Sequence, residues 1–188
     1  MPASKRDQLL ATAERLFYEQ GFHATGIDLI VAAAGVVRMT LYNHFASKEA
    51  LVAAVLSARH ERFMASLDAA AASASPGEVT PALVNAHGHW LERYSQHGCI
   101  MVKAMGEFAE HSTEIHALAA AAKSDLLARL EAAVVRDGLD HHAGLARHLF
   151  MVLEGSNTTV ALLGPQTALA DTRAVVDALL AAARSETP

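Results

Sequence analysis

The chain has 188 residues, 52% of them hydrophobic but only 5% aromatic, with eleven Gly, five Pro and one cysteine. Apolar mass supplied mainly by Ala, Leu and Val builds helices at little entropic cost, and scattered Gly and Pro exclude a chain of many short strands; the expected fold class is all-α. The net charge of −5 disfavours a nucleic-acid surface spread over the whole molecule, Cys99 alone excludes an internal disulfide, and no apolar run reaches the roughly 20 residues of a membrane helix.

Met1–Arg6 leads straight into an amphipathic pattern without the apolar stretch of a secretory signal, which points to a cytoplasmic protein. Leu9, Leu10, Ala13, Leu16 and Phe17 then form one helical stripe. Ser4 and Asp7 stand close to a capping-box arrangement at its start, Gly21 ends it, and Phe22 is placed to fold back on the core. Thr25-Gly26 opens a short second helix carrying Ile27, Ile30, Val31 and Ala34, and Gly35 stops it. Arg38 to Phe45 reads as a third short helix with Leu41 and Phe45 on its inner face. Ser47 caps a longer fourth helix that runs to about Leu67, where an Ala-rich stretch is able to extend it. Ser73-Ala74-Ser75-Pro76-Gly77 is the clearest linker. Thr80-Pro81 restarts a helix, with proline in the tolerated first turn, and Gly98 breaks it. Ile100 to Phe108 forms another helix, and Ser112 or Thr113 begins one that ends at Gly138. Two helices close the chain, one from Asp140 or His141 to about Leu163 and one from about Leu169 through Leu180.

The informative stretch is Gly21 to Lys48. Two short helices flank Gly35-Val36-Val37, the length of a helix-turn-helix. Gly35 tolerates the positive φ that such a turn needs; Ala32, Ala33 and Ala34 let the helices cross closely, and Val36 plugs the corner. Arg38, Met39, Thr40, Tyr42, Asn43 and His44 then face outward. All but Met39 carry hydrogen-bonding groups, as a helix presented to a DNA groove requires. Six cations against five anions give residues 1–60 a charge of +1, leaving −6 on the remainder. The sign suits an N-terminal DNA module, but geometry must carry much of the binding and the salt dependence should be modest.

Thr25, Ala33-Ala34-Gly35-Val36, Thr40-Leu41-Tyr42, His44-Phe45 and Lys48-Glu49, followed by Leu51, resemble the pattern of TetR-family transcriptional regulators over roughly residues 5–55. The chain departs from that pattern at Val37, where the family often has Ser, and at Met39, where it often has Gly. The resemblance implies phosphate contacts from Thr25, Tyr42, His44 and Lys48, and base contacts from Arg38, Thr40 and Asn43; the departure at Met39 either adds an apolar base contact or narrows the docking. It also implies a DNA-binding head at 1–47, an effector-binding and dimerisation body at 48–188, and a homodimer on a palindromic operator. Gly98-Cys99 followed by the helix with Glu107-Phe108 resembles, more distantly, the body of one subgroup.

Within that body His87, Trp90, Tyr94, Met101, Met105, Phe108, Met151 and Asn157 are the candidates for lining a mostly apolar effector pocket. Gly155, Thr158, Ala161 and Leu162, with Ala174, Ala178 and Leu179, offer a dimer surface of small residues on the last two helices. The eleven histidines show no zincin spacing and no thiol pair, so no metal or cofactor is expected. Cys99 reads as a packed thiol, and the Glu107/His111 pair lacks a nucleophile that would complete a catalytic site. The expected function is therefore a repressor released from its operator by a small effector. The alternatives are a helical ligand-binding protein with a degenerate head and a small helical enzyme.

Overall fold

The computed structural model describes residues 4–139 and 142–185. The regular structure in them is helical throughout: α1 (Lys5–Gln20), α2 (Ile27–Ala33), α3 (Arg38–His44), α4 (Lys48–Ser73), α5 (Val79–Tyr94), α6 (Ile100–Phe108), α7 (Thr113–Arg136), α8 (Leu145–Leu163) and α9 (Pro165–Ser185). The local start signals act as expected. Ser4 Oγ accepts the Asp7 N–H at 3.1 Å, and Ser47 Oγ accepts the Ala50 N–H at 3.0 Å, each satisfying an amide that the first turn leaves unpaired.

Two boundaries differ from expectation. Asp140 and His141 lie outside the described residues, and α8 begins only at Leu145, after a bend and turn ending at Gly144. α9 begins at Pro165 instead of near Leu169. Proline at the first helical position has no amide to lose and a φ already suited to the helix, so the chain re-enters a helix directly after Gly164.

The chain packs into two compact units, whose boundaries fall inside α4, at the start of α6 and inside α7. One comprises Met1–Glu61 with Ile100–Ala121; the other comprises Arg62–Cys99 with Ala122–Pro188. α6 and the start of α7 thus pack with the N-terminal helices.

In the first unit Leu9, Leu16 and Phe17 of α1 are buried together with Ile30, Leu41 and Leu56. Phe22 does fold back: it is fully buried, with ring centroids 5.3 Å from Phe17 and 5.5 Å from Phe108. Arg59 of α4 pairs with Glu14 of α1 at 2.8 Å, both largely buried, and lies over the Tyr18 ring. In the second unit the core draws Met64 and Leu67 from α4, Leu83 from α5, Leu130 from α7, Leu149 and Leu153 from α8, and Val176 and Leu180 from α9. α8 and α9, joined through Gly164 alone, fold back along one another as an antiparallel pair.

Candidate functional site

The α2–turn–α3 segment is built by burial on one side and backbone bonds at the corner. Ile30, Val31, Ala34 and Leu41 are buried. Gly35 takes φ +62°, which a side chain would strain, and the Val36 N–H returns to the Val31 carbonyl at 3.0 Å. Val36 is half-buried at the corner, but of the three alanines only Ala34 is buried; Ala32 and Ala33 face solvent. One small residue suffices for helices of two turns.

On α3, Leu41 and the following Phe45 point inward while Arg38, Met39, Tyr42, Asn43 and His44 are exposed and Thr40 is half-buried. Met39 and the preceding Val37 are 68% and 67% exposed, a costly placement for apolar side chains in an isolated molecule. Lys48, half-buried, reaches the His23 carbonyl with Nζ at 3.4 Å. Thr25 requires a correction. Its side chain is fully buried, and its hydroxyl donates towards the carbonyls of Gly21 at 2.7 Å and Leu16 at 3.2 Å. Its hydroxyl closes the end of α1 and is not presented to a phosphate.

Carboxylates already counted in the net charge of residues 1–60 hold several of its cations in ion pairs. Arg38 forms a two-pronged ion pair with Asp28 of α2. Hydrogen bonding to Arg38 holds the Asp28 carboxyl below its ordinary range and raises the guanidinium in turn. Arg15 is paired with Glu19 and Arg59 with Glu14, so three of the six cations in residues 1–60 are held by carboxylates. The Asp28 partnership was not read from the sequence; its only signal is an acid on the outward side of α2 ten residues before Arg38.

α6 is tied to the end of α1. The Glu107 carboxylate accepts the N–H groups of Phe22 at 3.0 Å and His23 at 2.8 Å, and His23 Nε2 lies 2.8 Å from the Glu107 carbonyl oxygen. Gly21 makes room for it, since a Cβ there would stand 3.1 Å from Glu107 Oε1. Lys103, one turn earlier, donates to the Tyr18 carbonyl at 3.0 Å. Glu107 is thus engaged as a capping acceptor, and His111 stacks edge-on to His23.

The pocket candidates separate between the units. Phe108 packs in the first unit against Phe22 and His23; Met101 is buried and Met105 half-buried there. In the second unit Trp90 stacks on Tyr94 at 4.6 Å. Both line a groove of about 480 Å³ with Arg62, Ser66, Ala70, Ala86, His89 and Arg93. His87 and Asn157 are buried and meet at 3.2 Å. Met151 is 69% exposed on α8.

A buried polar chain continues from His87 and Asn157. Asn157 Nδ2 lies 3.3 Å from Glu154 Oε1, which receives Lys123 Nζ at 2.9 Å, and Lys123 also reaches Cys99 Sγ at 3.0 Å. Burial opposes the Lys123 charge, but the Cys99 sulfur and the Glu154 carboxylate outweigh it and raise its pKa above the ordinary lysine value. Burial first, and the Lys123 charge second, push His87 down to about 3, so its ring is neutral. Of the dimer candidates Gly155, Thr158, Ala161, Leu162, Ala174 and Ala178 are exposed, whereas Leu179 is half-buried against the core of its own unit.

An all-α chain with an intact helix-turn-helix and an outward-facing second helix defines the class of helix-turn-helix regulators. Residues 9–55 match the model of bacterial regulatory proteins of the tetR family. The activator FasR of Mycolicibacterium smegmatis is 48% identical over 56 residues, 30% of this chain and 25% of that protein. The repressor KstR2 of the same organism is 46% identical over 55 residues, 29% and 27% of the two chains. The chain thus matches only about a quarter of the length of these relatives. The likeness to the crystal structure of SCO4454, a TetR-family transcriptional regulator from Streptomyces coelicolor, extends over 95% of both chains, with a TM-score of 0.87 and 27% identity. Residues 9–55 are thus similar to the tetR-family regulatory module, and the fold as a whole is similar to that of a TetR-family transcriptional regulator. Among the described residues no helix is long and apolar enough to cross a membrane.

Proposed function

We propose that this protein is a cytoplasmic, homodimeric repressor that holds a palindromic operator through α3 and leaves it when a small, mostly apolar effector binds. The observation that carries the reading is the placement of Arg38, Met39, Tyr42, Asn43 and His44 in solvent on one short helix anchored by buried Leu41 and Phe45. A helix of this kind enters the major groove, where side chains read base edges. In this reading residues 1–47 are the DNA-binding head and 48–188 the effector-binding and dimerisation body. Arg38, Thr40 and Asn43 address bases; Tyr42, His44 and Lys48 address phosphates; Met39 meets a thymine methyl.

The effector acts only if it binds the DNA-free state more tightly than the DNA-bound one. α4, with residues in both units, is the element through which that preference reaches the head. The test is binding of the purified protein to fragments of its own promoter region, followed by fluorescence anisotropy at several salt concentrations. Specific binding that weakens with salt and is lost in Tyr42→Ala supports the reading. Binding that is absent at low salt overturns it and leaves a ligand-binding protein with an inactive head.

A further inference from the structure

The contacts around Asn157 fix the tautomer of His87. Glu154 Oε1, ion-paired with Lys123, is an acceptor only. The Asn157 amide atom 3.3 Å from it must therefore be the NH2 group, and this same nitrogen lies 3.2 Å from His87 Nε2. Nε2 accepts, so in a neutral ring the proton sits on Nδ1. His87 is 3% exposed, and Nδ1 is buried with no hydrogen-bond partner. A folded interior seldom leaves an N–H unpaired, and this one stands in a network whose other members satisfy one another.

The surroundings are aromatic. The His87 ring meets Phe63 edge-on at 6.0 Å, Phe63 meets Trp90 at 5.1 Å, and Trp90 with Tyr94 walls the groove between α4 and α5. Arg62 and Arg93 stand on the wall of that groove, but the charge that acts on the His87 ring is Lys123, which Glu154 already neutralises, and burying an unpaired acid against the ring is strongly unfavourable. A metal ion finds no lone pair on this ring, since Nδ1 keeps its proton and Nε2 faces an NH2 group.

We propose that His87 Nδ1–H is the hydrogen-bond donor that anchors the effector, and that the effector is an uncharged molecule carrying a carbonyl oxygen on an apolar body. This rests on the effector-responsive reading above and names the chemistry of its ligand. A single fixed donor selects for an acceptor oxygen and against an alkane of the same size, which leaves the N–H unpaired.

The test uses full-length protein with 15N-labelled histidine and three probes: 2-decanone, decanoate and decane. The free protein should show the Nδ1–H tautomer at His87. 2-Decanone should move the Nδ1–H resonance downfield and change the fluorescence of Trp90, the only tryptophan, while decane and decanoate leave the resonance in place. His87→Phe should weaken 2-decanone binding roughly fivefold. The tautomer and the ketone-induced shift are read on the unaltered protein, so they decide the matter even where the variant fails to fold. An Nε2–H tautomer, no binding of 2-decanone, equal affinity in His87→Phe, tighter binding of decanoate, or a resident water on Nδ1–H that persists with ketone present would each overturn the proposal. Promoter binding is measured on the same preparation. DNA binding without a His87 response overturns this inference alone, and a His87 response without DNA binding overturns the regulator reading alone.

Discussion

Arg38 enters DNA binding already engaged. To address a base it must leave Asp28, or carry Asp28 with it as a bridge, so the carboxylate sets both the charge and the pose of the proposed reading helix. Asp28→Asn should tighten binding to unrelated DNA and steepen the dependence of log affinity on log salt by about 0.9, the effect of one added phosphate neutralisation. Anisotropy across a salt series checks it; an unchanged slope would mean that Arg38 never meets phosphate. Arg38→Ala and Tyr42→Ala should weaken operator binding without unfolding the protein, the first by about 1–3 kcal/mol if its fork reads a base.

His87 gives a pH signature of its own. Its folded pKa, about 3, lies below the ordinary 6.5, so the unfolded chain takes up a proton first. The stability contributed by keeping the ring neutral is complete above pH 6.5 and declines as pH falls towards 3, at about 1.4 kcal/mol per pH unit. Urea midpoints of wild type and His87→Phe should therefore converge between pH 7 and pH 5. Parallel curves would mean that the ring is not held neutral.

At the scale of elements, the ends of helices show where sequence reading succeeds. Ser4, Ser47, Gly21 and Gly35 act on residues within a few positions, and a window of sequence contains both partners. The start of α5 is different. Its N-cap residue Glu78 makes no side-chain cap bond; Asp137, beyond the end of α7, accepts the Val79 and Thr80 N–H groups at 2.9 and 2.7 Å. A carboxylate on these amides also meets the positive end of the helix dipole. Asp137→Ala should cost about 1–2 kcal/mol in urea unfolding, with Asp137→Asn recovering part of it; no change in midpoint would show that water replaces the cap. The same limit explains the site. The outward face of α3 was legible because Leu41 and Phe45 fix its phase within one helix. Asp28 on Arg38, Glu107 on Phe22 and Lys123 on Glu154 join separate elements, and no spacing announces them. Thr25 eludes a sequence reading for that reason: threonine suits a surface, and only the fold shows this one turned into the core.

At the scale of the molecule, the outer side of the α8–α9 pair is what a monomer leaves unexplained. Met151, Gly155, Thr158 and Leu162 recur at spacings of four, three and four, which is one stripe of α8, and all are exposed, Leu162 at 84%. Ala174, Val175 and Ala178 are exposed on α9. Small residues let helices approach, and two copies of this pair placed about a two-fold axis would bury the stripe in a four-helix bundle. Such a dimer presents two α3 helices to two half-sites, which one short helix needs for specificity. Leu179→Glu is a poor probe, because that side chain packs partly on its own core and its loss confounds folding with association. Leu162→Glu and Thr158→Asp touch little within the unit. Each should sediment as a monomer with wild-type helicity and urea midpoint, because a charge buried in the bundle has no partner. Affinity for a palindrome should fall by about a hundredfold or more once two heads are no longer linked, while weak binding to a half-site persists. A wild-type chain that sediments as a monomer at micromolar concentration and still holds the palindrome at full affinity would place the contact between copies elsewhere, or show that one head is enough.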